Sequence, residues 1–391
     1  MSTAAAKATS FLPFHRALIE QEEISAVLEV LQSGWLTAGP RVKQFEADFA
    51  NFTGATHALA VNSCTSALHL SLVVCGIREG DEVILPTMTF AASGEVVLYQ
   101  KGKPVLVDCA KNSFHIDPEL IERAITPRTK AILPVHYAGY PCDMDAILDI
   151  ARRHRLLVIE DAAHALPTRY NGQMIGTLSD LTCFSFYATK TITTGEGGMI
   201  TTENPEYAEK LRTLSLHGIS RDAWKRYTAE GTWRYEILDA GYKYNLTDLQ
   251  AAIGIAQLAK CESLRARRQA IARRYSQALP SLEAFEPPFE TIDENHACHL
   301  YVIQFNESLL RIGRDRVIEE LKLRGIGTSV HFIPLHLHPL YHQLGYRPGQ
   351  FPNAEQRFNR AISLPIFPGM TDDEIDRVIE ALHEIAREHR R

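Results

Sequence analysis

The chain has 391 residues, of which 45% are apolar and 23% charged, enough hydrophobic material for two joined domains and too much for wholesale disorder. Lysine plus arginine number 41 against 47 aspartates and glutamates, a formal net charge of −6, so no global basic field is present to hold a nucleic acid. A local pocket for a small phosphate is left open. Seven scattered cysteines, Cys64, Cys75, Cys109, Cys142, Cys183, Cys261 and Cys298, include no C-x-x-C pair, which argues against a disulfide framework or a structural zinc site and fits a reducing cytoplasm. The opening Met1–Ser10 has no apolar leader core, and no later apolar run approaches the roughly 18 residues of a membrane span. A soluble, unexported protein that binds no membrane is expected.

From about residue 55 to 205, short apolar runs alternate with amphipathic stretches, the pattern of strands and crossover helices around a buried, mostly parallel sheet. Seven strands are predicted, at His57–Asn62, Glu82–Leu85, Pro104–Asp108, Lys130–His136, Leu156–Asp161, Leu181–Phe186 and Gly198–Thr202. Between them Asp143–His154 reads as a helix, with Met144, Ile147, Leu148 and Ala151 at helical spacing behind a capping aspartate. A long Ala- and Leu-rich helical stretch runs from Thr247 to about Tyr275, ahead of Pro280 and Pro287-Pro288, and a domain junction is placed near residue 255. This divides the chain into a large domain, 14–255, and a smaller α+β domain, 256–391. The latter is expected to hold a strand at His299–Phe305, a helix at Arg314–Arg324 ending on Gly325, and a last helix from Thr371 to about Arg387.

The run Leu156-Leu-Val-Ile-Glu-Asp161 is a buried strand ending in acid, and open α/β sheets carry functional side chains at the carboxyl ends of their strands. By itself Asp161 is equally a helix cap. After a later strand comes Phe184-Ser-Phe-Tyr-Ala-Thr-Lys190, followed by Thr-Ile-Thr-Thr-Gly195-Glu-Gly-Gly198. A lone lysine is usually a solvated charge, but small hydroxylated neighbours and a glycine-rich turn let this one sit beside a ligand, where lost hydration lowers its pKa and frees a nucleophilic amine. Acid and lysine together suggest pyridoxal phosphate, the lysine holding the cofactor and the carboxylate its pyridine N–H. Asn62-Ser-Cys-Thr-Ser-Ala-Leu68 opens a helix after a strand and offers a phosphate cradle of unpaired N–H groups, or simply a capping motif. Phe90, in Thr87-Met-Thr-Phe-Ala-Ala92, offers a ring to lie over the cofactor; in isolation it reads as core.

These segments resemble the DegT/DnrJ/EryC1/StrS family of fold-type I pyridoxal-phosphate aminotransferases that act on nucleotide-linked keto sugars. The resemblance runs from Phe14 and Ser33-Gly-Trp-Leu-Thr-Ala-Gly-Pro40 through Glu160-Asp-Ala-Ala-His164 and the Lys190 segment to Gly241-Tyr-Lys-Tyr-Asn-Leu-Thr-Asp248 and Ser363-Leu-Pro-Ile-Phe-Pro368. Within the family the look is nearest to the enzymes that aminate a UDP-4-keto pentose, with UDP- and dTDP-4-keto-6-deoxyhexose aminotransferases close behind. The resemblance implies that Lys190 is the Schiff-base lysine and acid–base catalyst, that Asp161 holds the pyridine nitrogen, that His164 sits near the ring oxygen, and that Phe90 stacks on the ring. It implies phosphate contacts from Cys64, Thr65 and Ser185, with Asn245 reaching across from the partner of a homodimer. His331 is implied at the sugar site, also from that partner, with Trp35 and Thr37 as further substrate-binding residues. L-glutamate, leaving as 2-oxoglutarate, is the implied amino donor. Relatives that dehydrate a sugar carry histidine where this chain has Lys190, so transamination is favoured over dehydration; a cyclitol aminotransferase and a non-catalytic sensor of the same fold are the remaining rivals.

Other clusters take plainer readings. His331, His336, His338 and His342 are interrupted by Pro334 and Pro339, which break regular ligand spacing, so they are read as pocket lining with no metal. The run Arg265-Ala-Arg-Arg268 with Arg273-Arg274 is read as a solvated helix face, and Cys64 as an unreactive thiol.

Overall fold

The seven apolar runs pair into one sheet in the computed structural model, which describes residues 10–220, 234–288 and 295–391. The opening segment considered above as a leader lies, up to residue 9, outside the described residues. The strands are β1 (His57–Val61), β2 (Glu82–Pro86), β3 (Lys103–Val107), β4 (Thr129–Ile132), β5 (Leu157–Asp161), β8 (Leu181–Ser185) and β9 (Gly198–Thr202), with a short ribbon of β6 (Arg169–Tyr170) and β7 (Gln173–Met174) between β5 and β8. Their order is β1-β9-β8-β5-β4-β2-β3. Only β9 runs against its neighbours; the pairings from β8 through to β3 are all parallel. The carboxyl ends of β1, β2, β5 and β8 therefore share one edge of the sheet.

The fourth strand is shorter than its apolar run, Lys130–His136, suggests. Pro134 has no N–H to give the ladder, so regular pairing stops at Ile132 and resumes only as a single bridge from Val135 to Asp161. The helix Met144–His154 starts as read, with Asp143 accepting from the Ala146 amide. The stretch from Thr247 to Tyr275 is two helices, Asp248–Ala259 and Cys261–Ala278, broken at Lys260, whose φ of −110° and ψ of 11° leave the helical region. The break lets one apolar run serve two cores: the first helix packs on Gln21–Ser33 and Pro40–Thr53, the second on the C-terminal helix Asp372–Glu388.

A second, antiparallel sheet joins β10 (Phe285–Glu286), β11 (Tyr301–Phe305) and β12 (Ala361–Leu364). Alternation along β11 gives it two faces. Tyr301, Ile303 and Phe305 enter a core with Ile271, Tyr275, Ile375 and Leu382, while Leu300 and Val302 join the core of the large sheet. Helix Arg314–Leu323 is followed by Gly325 at φ 72°, and the last helix opens on a Thr371–Glu374 capping box. Among the described residues no helix is long and apolar enough to cross a membrane.

The residue before Asp161 fixes the end of β5 from behind. Glu160 is fully buried and accepts from His136 Nε2 at 2.7 Å, Ser179 Oγ at 2.6 Å and Thr182 Oγ1 at 2.8 Å. His136 Nδ1 accepts the Cys142 amide, so its proton is on Nε2 and points at Glu160. Burial opposes the charge, yet His136 and the two hydroxyls outweigh it and hold this carboxyl below the usual range. Replacing Glu160 by leucine strands two buried donors, His136 and Thr182, and should cost about 3 kcal/mol of stability. Urea unfolding checks this; a loss below about 1 kcal/mol would show that the donors find other partners.

Candidate active site

Four chain segments leave the shared sheet edge and enclose a cavity of about 440 Å³. The first follows β1, where Ser63 caps helix Cys64–Val74 by accepting from the Ser66 amide at 3.0 Å. The first-turn N–H groups of Cys64 and Thr65 have no intrahelical partner, and both residues line the cavity at the positive end of the helix dipole. The Ser185 hydroxyl joins them from the end of β8. Gly198 makes this close approach possible: a Cβ there would stand 2.6 Å from the Ser63 carbonyl carbon.

Asp161 closes β5 and is 5% exposed. Its Oδ1 accepts from the Ala163 amide at 3.1 Å and its Oδ2 from Ser93 Oγ at 2.7 Å. Burial pushes its pKa up against the pull of these donors and of Lys190. Lys190, half-buried on the same cavity, follows β8 in a turn whose own amide donates to Tyr187 O at 2.9 Å. Beyond it Thr193 Oγ1 ties the turn to Phe186 O at 3.0 Å, and Gly195 takes φ 81°. Lost hydration brings the Lys190 ammonium down to about 8, opposed by Asp161 and assisted by the Arg268 guanidinium. This shift raises the uncharged share of the amine above that of a solvated lysine.

The cavity also carries histidines. His164 receives the Ala138 amide on Nδ1 at 3.3 Å and lies 4.4 Å, ring to ring, from His299. Burial, with Lys190 nearby, pushes both well below the ordinary imidazole range. His331 pairs through Nδ1 with Ser363 Oγ at 2.9 Å and is lowered to about 4 by the same causes. It lines the cavity of its own chain: Ser329 bridges to Ser363 on β12, and this fastens the following residues over the site. Phe90 stands at the rim, 61% exposed and tilted against Phe332 at 5.8 Å.

Three of the implied residues do not line this cavity. Asn245 borders a separate cavity of about 170 Å³ with Arg212 and Ser220, and accepts from Lys243 Nζ at 2.6 Å. Trp35 Nε1 donates to Ala38 O, and the Thr37 carbonyl accepts from the Asp248 amide. Their segment is taken up by a helix junction, in which Asp248 receives the Arg41 and Val42 amides at the start of Pro40–Thr53. His336 is also off the cavity wall, buried between Thr87 and Glu355, so among the four clustered histidines pocket lining describes His331. The basic run is corrected too. Arg268 is 1% exposed, donating to His299 O and Ile366 O from Nη1. Ser93, His15 and His299 were not singled out as site residues from sequence, although His15 follows Phe14 and Ser93 follows the run Thr87–Ala92.

The donor set fits pyridoxal phosphate: a partly neutral amine, a buried carboxylate across the same cavity, and unpaired helix amides with hydroxyls for an anion. Cys64 matches a non-reactive neighbour, its thiol pushed well up by burial.

Comparison with known proteins agrees. The DegT/DnrJ/EryC1/StrS aminotransferase family matches residues 17–383. The chain is 56% identical over 382 residues to MJ1066 of Methanocaldococcus jannaschii, covering 97% of this chain and 99% of that protein. It is 50% identical over 383 residues to the spore coat polysaccharide biosynthesis protein SpsC of Bacillus subtilis, covering 97% and 98%. Among solved structures, the PLP form of Spr1654 from Streptococcus pneumoniae superposes with a TM-score of 0.90 at 34% identity, covering 97% of this chain and 99% of that one. A lysine and an acid at one sheet edge thus meet a match over nearly the whole length, and the chain belongs to the DegT/DnrJ/EryC1/StrS aminotransferase family of pyridoxal-phosphate-dependent sugar aminotransferases.

Proposed function

We propose that this enzyme moves an amino group from L-glutamate to the keto carbon, C4, of a nucleotide-linked sugar such as a UDP-4-keto pentose or a 4-keto-6-deoxyhexose, and that it works in the cytoplasm as a homodimer with shared active sites. The observation that carries the reading is the placement of Lys190 and Asp161 on one cavity. The matched relative SpsC, a polysaccharide biosynthesis protein, supports a sugar precursor as substrate. Exposed Ile237 and Leu238, 71% and 61% accessible, lie a few residues before Asn245 and offer a second copy an apolar surface.

Bound pyridoxal phosphate supplies a ring that withdraws electrons from the substrate carbon bearing nitrogen. The Lys190 amine would hold the cofactor and, when free, would be placed to take and return the proton at the substrate carbon. Asp161 would keep the pyridine N–H paired. Cys64, Thr65 and Ser185 would hold the phosphate through backbone N–H and hydroxyl groups. With His164, His299 and His331 all held neutral by burial, the imidazoles contribute hydrogen bonds without charge, and Phe90 and Phe332 shield one side from water.

Lys190→Ala should lose transamination altogether while keeping fold and assembly, because one substitution removes both the attachment point and the proton carrier. Visible absorbance of the purified enzyme, followed on adding L-glutamate and then a panel of UDP- and dTDP-linked keto sugars, checks the reaction. The cofactor band should fall with glutamate and return with one sugar class; turnover by the alanine variant would sink the assignment.

The amine also sets a pH profile. Its pKa is lowered from the ordinary lysine value to about 8, and only the uncharged form attacks, so the rate at which the apoenzyme captures pyridoxal phosphate should rise about tenfold per pH unit below 8 and level off above it. A rate still climbing at about pH 10 would show an unperturbed lysine.

A further inference from the structure

Asp161 is held from behind by a side chain that is not on the cavity wall. Ser93, on the buried face of helix Ala91–Tyr99, donates to Asp161 Oδ2 at 2.7 Å. Thr89, one residue before Phe90, lies 2.7 Å from the Ser93 hydroxyl, oxygen to oxygen. Ser93 is 0% exposed and Thr89 1%. A hydroxyl carries one hydrogen. Ser93 commits its own to Asp161, so Thr89 is the donor in the other bond, and the three groups form a one-way chain from Thr89 through Ser93 to the carboxylate. The Ala163 amide occupies Oδ1. With two of about four acceptor positions filled from within the protein, the others are left for a donor in the cavity.

We propose that Ser93 is a positioning residue, aiming the Asp161 carboxylate at the pyridine nitrogen of the bound cofactor, with Thr89 orienting the serine hydroxyl in turn. The proposal rests on the reading of Asp161 as the ring-nitrogen partner. Its physical basis is that burial disfavours an ionised carboxylate, while a donor fixed behind it favours that form and removes its rotational freedom. Of the influences that oppose burial at Asp161, the Ser93 bond is the largest. The arrangement also links the helix that follows β2 to the end of β5, so the segment presenting Phe90 and the residue meeting the ring edge are set by one contact.

The test is titration of the apoenzyme with pyridoxamine phosphate, which binds without a covalent bond and so reports on these contacts alone. Wild type, Ser93→Ala, Ser93→Cys, Asp161→Asn and the double variant Ser93→Ala/Asp161→Asn are compared by absorbance, with thermal unfolding alongside. Ser93→Ala should weaken binding about fivefold, the worth of one net hydrogen bond, and Ser93→Cys, which keeps a weak donor, should weaken it less. On the Asp161→Asn background, removing Ser93 should add nothing, since the serine acts only through that carboxylate. Wild-type affinity in Ser93→Ala, or an equal loss on both backgrounds, would overturn the proposal. A lowered melting temperature with unchanged affinity would do so as well, by marking a purely structural serine. Asp161→Asn binding as tightly as wild type would instead remove the assignment of Asp161 on which the proposal stands.

Discussion

An amine and a carboxylate that share one cavity each pay in lost hydration, and the rest of the site depends on holding both in place despite that cost. The parallel pairing of β5 with β8 is what sets their separation. In that register Asp161 lies opposite Cys183, which leaves Ser185 and the Lys190 turn just beyond the acid on the same edge. Backbone pairing therefore sets where the two side chains leave the sheet, and side-chain anchors hold them there. Glu160 and its three donors lock β5 from one face, Ser93 supports Asp161 from the other, and Thr193 binds the lysine turn back to β8. Each anchor lies outside the space a ligand would occupy.

The charge balance of the cavity follows from the same loss of hydration. His15, His164, His299 and His331 all face or adjoin Lys190, and burial and positive neighbours drive every one of them to the neutral form. Arg268 stands behind the lysine, its Nη1 donating to two backbone carbonyls, with burial lowering its pKa to about 10. The helix amides of Cys64 and Thr65 therefore face this cavity with no imidazolium competing for an anion. This division keeps strong positive charge away from the ring, where Asp161 has to act as an anion.

Much of this was legible in the sequence, for a physical reason. Strands buried on both faces read as continuous apolar runs, so the seven sheet strands emerged with ends displaced by few residues, and the acid and lysine stood out because polar groups closing such runs need explaining. What stayed hidden depended on partners distant in the chain. Arg268 looks solvated by helical spacing, but the carbonyls of His299 and Ile366 end beside it. Ser93 resembles any helix serine until β5 is laid against its helix. Lys260 breaks a helix whose composition gives no sign of it, where the packing partner changes from the first two helices to the last.

The same distinction explains why the reaction type is easier to read than the substrate. The groups around the cofactor position come from strand ends of the large sheet, whose order and direction are dictated by burial. Much of the opposite wall comes from residues near the second sheet: His299 and Leu300 beside β11, and Ser329, His331 and Phe332 tied to β12. β11 is the coupling element, since its two faces belong to different cores. A change on the β11 face that enters the second core can therefore shift His299, Leu300 and their neighbours on the cavity wall while leaving the strand ends that carry Lys190 and Asp161 in place. That wall is built from loops whose shape is set by long-range packing, where local sequence carries the weakest signal.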